Sequence, residues 1–210
     1  RLAPTQVVIL PVLHKEEERA RVLEYCDSLK EELSKKSYMG LPIRVEIDKR
    51  DIRGGEKVWG WIKKGVPVRV EVGPRDVAQN AVFAARRDDG SKKSVGREEF
   101  VETIADTLKS IQDSMFERAK KYRDENTVEI SSKDEFYSFF TPKNPKKPEI
   151  HGGFAVAYYD GSREVEEMLK SDLKVTVRCI PLEGGSEGGK CIFTGKSGAG
   201  VVKAVFAKSY

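Results

Sequence analysis

Cysteine is scarce in this 210-residue chain, with Cys26, Cys179 and Cys191 too few and too scattered for a disulfide framework. No Asn-x-Ser/Thr acceptor occurs either. The two absences fit a reducing compartment, and a cytoplasmic location is expected. No stretch approaches the roughly 18 consecutive apolar residues that a membrane span needs, so no membrane partner is expected. The N-terminus has no basic-then-apolar leader pattern, and Arg1 standing where a start methionine would be points to a cut piece of a longer chain.

Catalytic signals are equally thin. His14 and His151, the only histidines, have no His or Cys partner at metal spacing, and no serine or cysteine sits in a recognisable nucleophile elbow. Gly195-Lys196-Ser197 invites a phosphate-loop reading, but that pattern needs glycine at 190, where Lys190 stands. Gly184-Gly185 and Gly188-Gly189 flank a polar turn and read as a flexible hairpin loop. Cys26 lies on an apolar helix stripe and reads as core.

What is present is an ordinary folded composition, 39% hydrophobic and 34% charged, which allows an apolar core under a heavily charged surface. The net charge of +4 and pI near 8.8 favour an anionic partner only weakly. The length suits a primary domain with a smaller appendage.

Residues 6–12 form an apolar run closed by proline and read as a buried parallel strand. Across 15–36 the set Val22, Leu23, Cys26, Leu29 and Leu33 recurs at three- and four-residue spacing, an amphipathic helix. Residues 43–47 alternate as a second strand, followed by a charged loop at 48–55. A short helix over 56–64 carries Val58, Trp59 and Ile62 and is closed by Gly65. Residues 66–72 and 81–86 read as third and fourth strands, with Asp89-Gly90 turning into a short strand ending near Val95. Phe100, Ile104, Leu108, Ile111, Met115, Ala119 and Tyr122 mark one long amphipathic helix.

Strands alternating with helices predict an α/β fold, a mixed, mostly parallel sheet with helices on both faces, over residues 1–124. Residues 141–148, rich in proline and lysine, read as an exposed connector. Beyond it, strands at 153–159, 174–180, 189–193 and 201–207 with one helix at 163–170 predict a small α+β domain within 125–210.

Two charged loops leave neighbouring strand ends. One carries Asp48, Arg50, Asp51, Arg53 and Lys57; the other carries Arg69, Glu71, Gly73, Pro74, Arg75 and Asp76. Ligands of open α/β sheets bind beyond the carboxyl ends of strands, so both loops should face one site. Arginine grips phosphate or a guanine edge, and carboxylates accept from base amino groups. RNA loops are read by this mixture together with a stacking plane, for which Trp59 or Trp61 is available. The same spacing also reads as a solvated ion-pair network with both tryptophans in the core.

The segment Asp48-Lys49-Arg50-Asp51-Ile52-Arg53-Gly54-Gly55-Glu56-Lys57, with Lys64-Gly65-Val66-Pro67-Val68-Arg69-Val70-Glu71-Val72-Gly73-Pro74-Arg75-Asp76, resembles the anticodon-binding domain of prolyl-tRNA synthetases. The likeness is to the archaeal and eukaryotic-type branch of these class II enzymes, which some bacteria also carry. Arg86-Arg87-Asp88 fits the same pattern. Gly152-Gly153-Phe154-Ala155, Arg178-Cys179-Ile180-Pro181 and the terminal Tyr210 resemble that branch's C-terminal extension.

This resemblance implies a parent enzyme that uses ATP and Mg to load proline onto its tRNA and works as a homodimer. The catalytic N-terminal domain is not in this sequence, so no catalytic residue and no cofactor are expected here. The implied partners are proline tRNA, not DNA, and the catalytic domain of the same enzyme. Arg50, Asp51, Arg53, Lys57, Glu71, Arg75 and Asp76 become candidate RNA contacts, and Tyr210 would extend its carboxylate toward the active site. The family often binds zinc in the extension through two cysteine pairs, whose matching positions here are Asp160, Val165, Cys191 and Thr194. One thiolate of four leads to the expectation that the metal has been lost; an improvised set of Cys179, Cys191, Asp160 and His151 is the alternative. A stand-alone interaction module, or the matching part of another class II synthetase, is the competing reading of the whole chain.

Overall fold

A computed structural model describes residues 3–13, 16–144, 146, 152–182 and 188–209. His14, His151, Gly184, Gly185 and Tyr210 lie outside them. The chain divides into two compact units, Arg1–Ala119 and Lys120–Tyr210, the division falling inside a long helix rather than at residue 124.

The first unit contains β1 (Val7–Pro11), α1 (Glu16–Lys35), a small hairpin of β2 (Ser37–Tyr38) and β3 (Leu41–Pro42), β4 (Val45–Ile47), α2 (Gly54–Lys63), β5 (Val68–Val72), α3 (Pro74–Ala78), β6 (Ala81–Arg86) and β7 (Lys92–Gly96). The helix α4 (Arg97–Glu125) begins in this unit. The main sheet has the order β4-β1-β5-β6-β7, with β4, β1 and β5 parallel and β6 and β7 antiparallel. The β2–β3 hairpin is additional to the strands expected from the sequence; Met39 and Gly40 take left-handed φ of 52° and 75° to close it.

Alternation along β1 divides its side chains between two layers. Val7 and Ile9 join Val22, Cys26, Leu29 and Leu33 of α1 and Phe100, Ile104, Leu108 and Ile111 of α4 in the main core. Val8 and Leu10 face the other way, against Trp61 of α2 and Val66. The sheet is therefore sandwiched, with α1 and α4 on one face and α2 on the other. Cys26 is core as expected, and burial pushes its thiol up to about 12.

Two expectations about helices need correction. In α2 the inward aromatic is Trp61, 4% exposed, whereas Trp59 is 63% exposed. The apolar stripe of α4 is buried only as far as Ile111; Met115, Ala119 and Tyr122 are exposed. A 29-residue helix spans about 43 Å at about 1.5 Å per residue and overruns strands of five or six residues.

The second unit contains β8 (Thr127–Glu129), α5 (Lys133–Phe140), β9 (Phe154–Tyr159), α6 (Arg163–Leu173), β10 (Val175–Cys179) and β11 (Val202–Lys208). Its sheet runs β10-β11-β9-β8 around a core rich in phenylalanine, with Phe136 packing on Phe140, Phe193 and Phe206. Residues 189–193, expected as a strand, instead form one side of a tight knuckle. Cys191 N–H donates to the Lys196 carbonyl and Gly195 N–H to the Cys191 carbonyl, and only Lys190 and Ser197 bridge. Among the described residues of 141–148, expected as a connector, no helix or strand forms, and the segment lies within the second unit, after β8 and α5.

Candidate nucleic-acid interface

Because β4, β1 and β5 are parallel, the segments leaving β4 and β5 emerge at one edge of the sheet, with β1 between them. Asp48 follows β4 directly, its N–H donating to the Ile9 carbonyl. At this edge lies a cleft of about 220 Å³ lined by Arg50, Asp51 and Lys57 from one side, Glu71 from the other and Leu10 and Val58 between. Four of the seven candidate contact residues thus share one concavity.

The cleft is organised by Asp48, which is not among those seven. Its side chain is 1% exposed. It accepts from Arg50 Nε at 2.8 Å, Arg50 Nη2 at 2.6 Å and Trp61 Nε1 at 2.8 Å. These bonds, the Arg50 bond foremost, hold its carboxyl far below the usual range against the opposing effect of burial. Arg50 remains exposed enough to meet a ligand, with its planar group fixed at two points. Lys57 is buried and donates to the Asp48 carbonyl at 3.3 Å, so it braces the loop. Trp61 therefore serves the core and Asp48, and only Trp59 remains free to stack.

The other candidates are placed differently. Arg53 is exposed at the start of α2 and does not line the cleft. Arg75 is exposed on α3, which leaves the same sheet edge after β5. Asp76 uses one carboxylate oxygen to accept from Gly73 N–H at 2.9 Å, capping α3. Tyr210 falls outside the described residues. In the Arg86-Arg87-Asp88 segment, Arg86 donates to the buried Asp88 carboxylate while Ser114 and Arg118 of α4 also donate to Asp88. That pair ties the β6–β7 turn to α4 and leaves Arg87 exposed.

In the second unit, the four positions at which the resemblance implies metal ligands do stand together. Thr194 Oγ1 donates to Asp160 at 3.0 Å, and Thr194 N–H donates to Cys191 Sγ at 3.4 Å. Val165 and Cys191 share the core. Asp160 also accepts from Ser162 and pairs with Lys196 Nζ at 3.3 Å. A carboxylate already engaged by three groups, a hydroxyl, an aliphatic side chain and one thiol do not fit a tetrahedral zinc centre. Of the improvised set, Cys179 is exposed on β10, Cys191 is buried, and His151 is outside the described residues.

Comparison with known proteins accords with this geometry. Residues 6–107 match the anticodon binding domain family, and residues 146–210 match the family of prolyl-tRNA synthetase C-terminal domains. Proline–tRNA ligase 2 of Anaeromyxobacter dehalogenans is 51% identical over 216 residues, covering all of this chain and 42% of the relative. The proline–tRNA ligases of Protochlamydia amoebophila and Rhodopirellula baltica are 49% and 45% identical, again over the whole chain and 41% and 40% of their own lengths. The chain thus spans about two fifths of the relatives it matches. Two family matches, one within each unit, and this end-to-end similarity establish that the chain belongs to the prolyl-tRNA synthetase family, with the anticodon-binding and C-terminal domains of that family.

Proposed function

We propose that the chain reads the anticodon of proline tRNA for a proline–tRNA ligase whose remaining portion carries the chemistry. The observation that carries this reading is the cleft at the carboxyl ends of β1 and β5, where Asp48 fixes the Arg50 guanidinium opposite Glu71. A two-point arginine and a carboxylate lining one cleft match the acceptor and donor edges of guanine. Arg53 and Arg75, exposed beside the cleft, supply phosphate contacts. Lys57 and Asp76 act through the backbone they hold.

In this reading the parent enzyme is a cytoplasmic homodimer using ATP and Mg, of the archaeal and eukaryotic-type branch, and Tyr210 reaches its catalytic domain. This chain alone does not aminoacylate. The tail domain holds together without zinc, the Lys196 ammonium and the Ser162 and Thr194 donors neutralising Asp160 where a cation would otherwise sit.

The test is equilibrium binding of proline tRNA and of a variant altered at the two guanines of its anticodon. Preference for the natural anticodon, with affinity falling as salt rises, is expected from base and phosphate contacts. Arg50→Ala should weaken binding by about 1–3 kcal/mol and erase the preference. Equal affinity for the two RNAs overturns the reading.

A further inference from the structure

The β2–β3 hairpin presents an apolar tip that the core of the first unit leaves uncovered. It follows α1 and leads through Ile43 and Arg44 into β4, so it stands at the amino-terminal edge of the parallel strands, opposite the cleft. Its base is well fixed. Ile43 is 2% exposed and its N–H donates to the Lys36 carbonyl at 3.0 Å, Tyr38 packs on the main core, and Lys36 pairs with Glu102 of α4 at 2.7 Å. Met39 and Leu41 at the tip are instead 65% and 47% exposed.

Two features separate this tip from ordinary surface, where single exposed apolar side chains are common. The first is backbone conformation. Met39 has φ of 52°, a left-handed value uncommon for any residue but glycine. Such strain persists only where the surroundings impose it, and it gathers at functional positions. The second is place. Gln6 N–H donates to the Arg44 carbonyl at 2.9 Å, Arg44 N–H donates to Gln6 Oε1 at 3.0 Å, and the Arg44 guanidinium donates to the carbonyls of Pro4 and Ala3. The path into β1 is thus tied to the residue that leaves the hairpin, and whatever precedes Ala3 reaches the first unit at this edge.

The occupant follows from charge and chain length. Lys36 and Arg44 at the base are engaged by Glu102 and by main-chain oxygens, so the tip meets a partner through apolar contact rather than through phosphate. The relatives extend well beyond this chain, which covers 42% of the Anaeromyxobacter protein, while the C-terminal family match runs to residue 210. We propose that the β2–β3 hairpin is an anchor for the preceding portion of the same ligase, with Met39 and Leu41 filling an apolar pocket of that portion. Methionine suits such a contact because its unbranched side chain adapts to an irregular pocket. The anchor rests on the reading above that a larger ligase carries the chemistry, but not on which RNA the cleft takes.

The experiment compares the 210-residue chain with the complete ligase by peroxide footprinting, in which mass spectrometry reads the rate of sulfoxide formation at each methionine. Met39 should oxidise at least roughly fivefold more slowly in the complete ligase than in the chain alone. Leu41→Asp should return Met39 of the complete ligase to the fast rate, while leaving the Met39 rate and the urea midpoint of the 210-residue chain unchanged, because the position is exposed there. Equal Met39 rates in the two unaltered proteins overturn the anchor, as does a slow rate in the complete ligase that Leu41→Asp leaves slow. Protection of Met39 in the chain alone that appears only at high protein concentration also overturns it, since a second copy then covers the tip. Anticodon preference, measured on the same proteins, is judged separately: its loss leaves the anchor standing, and its presence does not rescue the anchor if Met39 stays fast.

Discussion

Asp48 grips Arg50 across two residues of one loop, with Nε 2.8 Å and Nη2 2.6 Å from the two oxygens of a carboxylate that is almost wholly enclosed. The partner on the inner side is Trp61, so one carboxylate links the core to the rim of the cleft. Stability and recognition should therefore separate by residue. Asp48→Asn leaves an amide where four donors converge and should lower stability by about 1–3 kcal/mol, measured by urea unfolding. Arg50→Ala strands the enclosed Asp48 carboxylate and should lower the urea midpoint as well as RNA affinity, whereas Arg75→Ala, at an exposed position, should leave the midpoint nearly unchanged and show its effect in RNA affinity instead.

Gly153 has φ of +67°, and a Cβ there would sit 2.9 Å from the Asn126 carbonyl oxygen and 3.1 Å from Phe139 Cζ. The nearer obstacle is backbone, and it is also the acceptor of the Phe154 N–H at 2.7 Å, so it has no freedom to retreat. Gly153→Ala combines left-handed strain with this collision and should destabilise the second unit by about 1–3 kcal/mol. Thermal unfolding followed by circular dichroism would measure it, and an unchanged midpoint would contradict the geometry.

Sequence reaches the first unit's architecture because its signals are local. The apolar runs of β1 and β5 and the period of α1 each follow from neighbouring residues. The loops that share the cleft are equally legible, because parallel strands send them to one edge. Trp59 and Trp61 are not distinguishable in this way, since they differ only in helical phase, and that phase is fixed by the distant Asp48. Arg69 and Glu71 are visible on one face of β5, but burial of Arg69 depends on neighbours in β1 and β6 that no local pattern reveals. In the second unit, Ser132 capping Glu135 N–H is a readable start for α5, though the helix is short. Cys191, Ile192 and Phe193 read as a strand because they are apolar. They are buried or half-buried in a knuckle instead, closed by the left-handed Gly195 at φ of 75°.

The tryptophan pair gives a direct check on the phase of α2. Trp61→Ala removes a packed indole and the donor to Asp48, and should cost about 3–5 kcal/mol of stability. Trp59→Ala should change stability by no more than about 0.5 kcal/mol, as for other exposed positions. In the Trp61→Phe protein, emission from the remaining Trp59 should lie at the long wavelengths of a solvated indole. Emission typical of a buried indole would mean that α2 is rotated about its axis, away from the phase that turns Trp61 inward.

Acid should act on the second unit through Asp160. Hydrogen bonds from Ser162, first its hydroxyl, and then from Thr194 and Lys196 lower its pKa from the ordinary 3.8 to about 2, against the smaller opposing effect of burial. The folded form therefore binds fewer protons than the unfolded chain between those values, so this group favours folding more as pH rises through the window. Its contribution is complete above about pH 4 and lost as pH falls through about 2. Asp160→Asn keeps an acceptor for Ser162 but gives up the charge facing Lys196, and so removes the titration. Unfolding midpoints of the two proteins, measured from pH 6 downward in roughly half-unit steps, should differ at neutral pH and converge as the acid limb is descended. A gap that stays constant across the window would assign the acid sensitivity to other carboxylates, among them Asp48 and Asp88, whose pKa values are also held down by arginine.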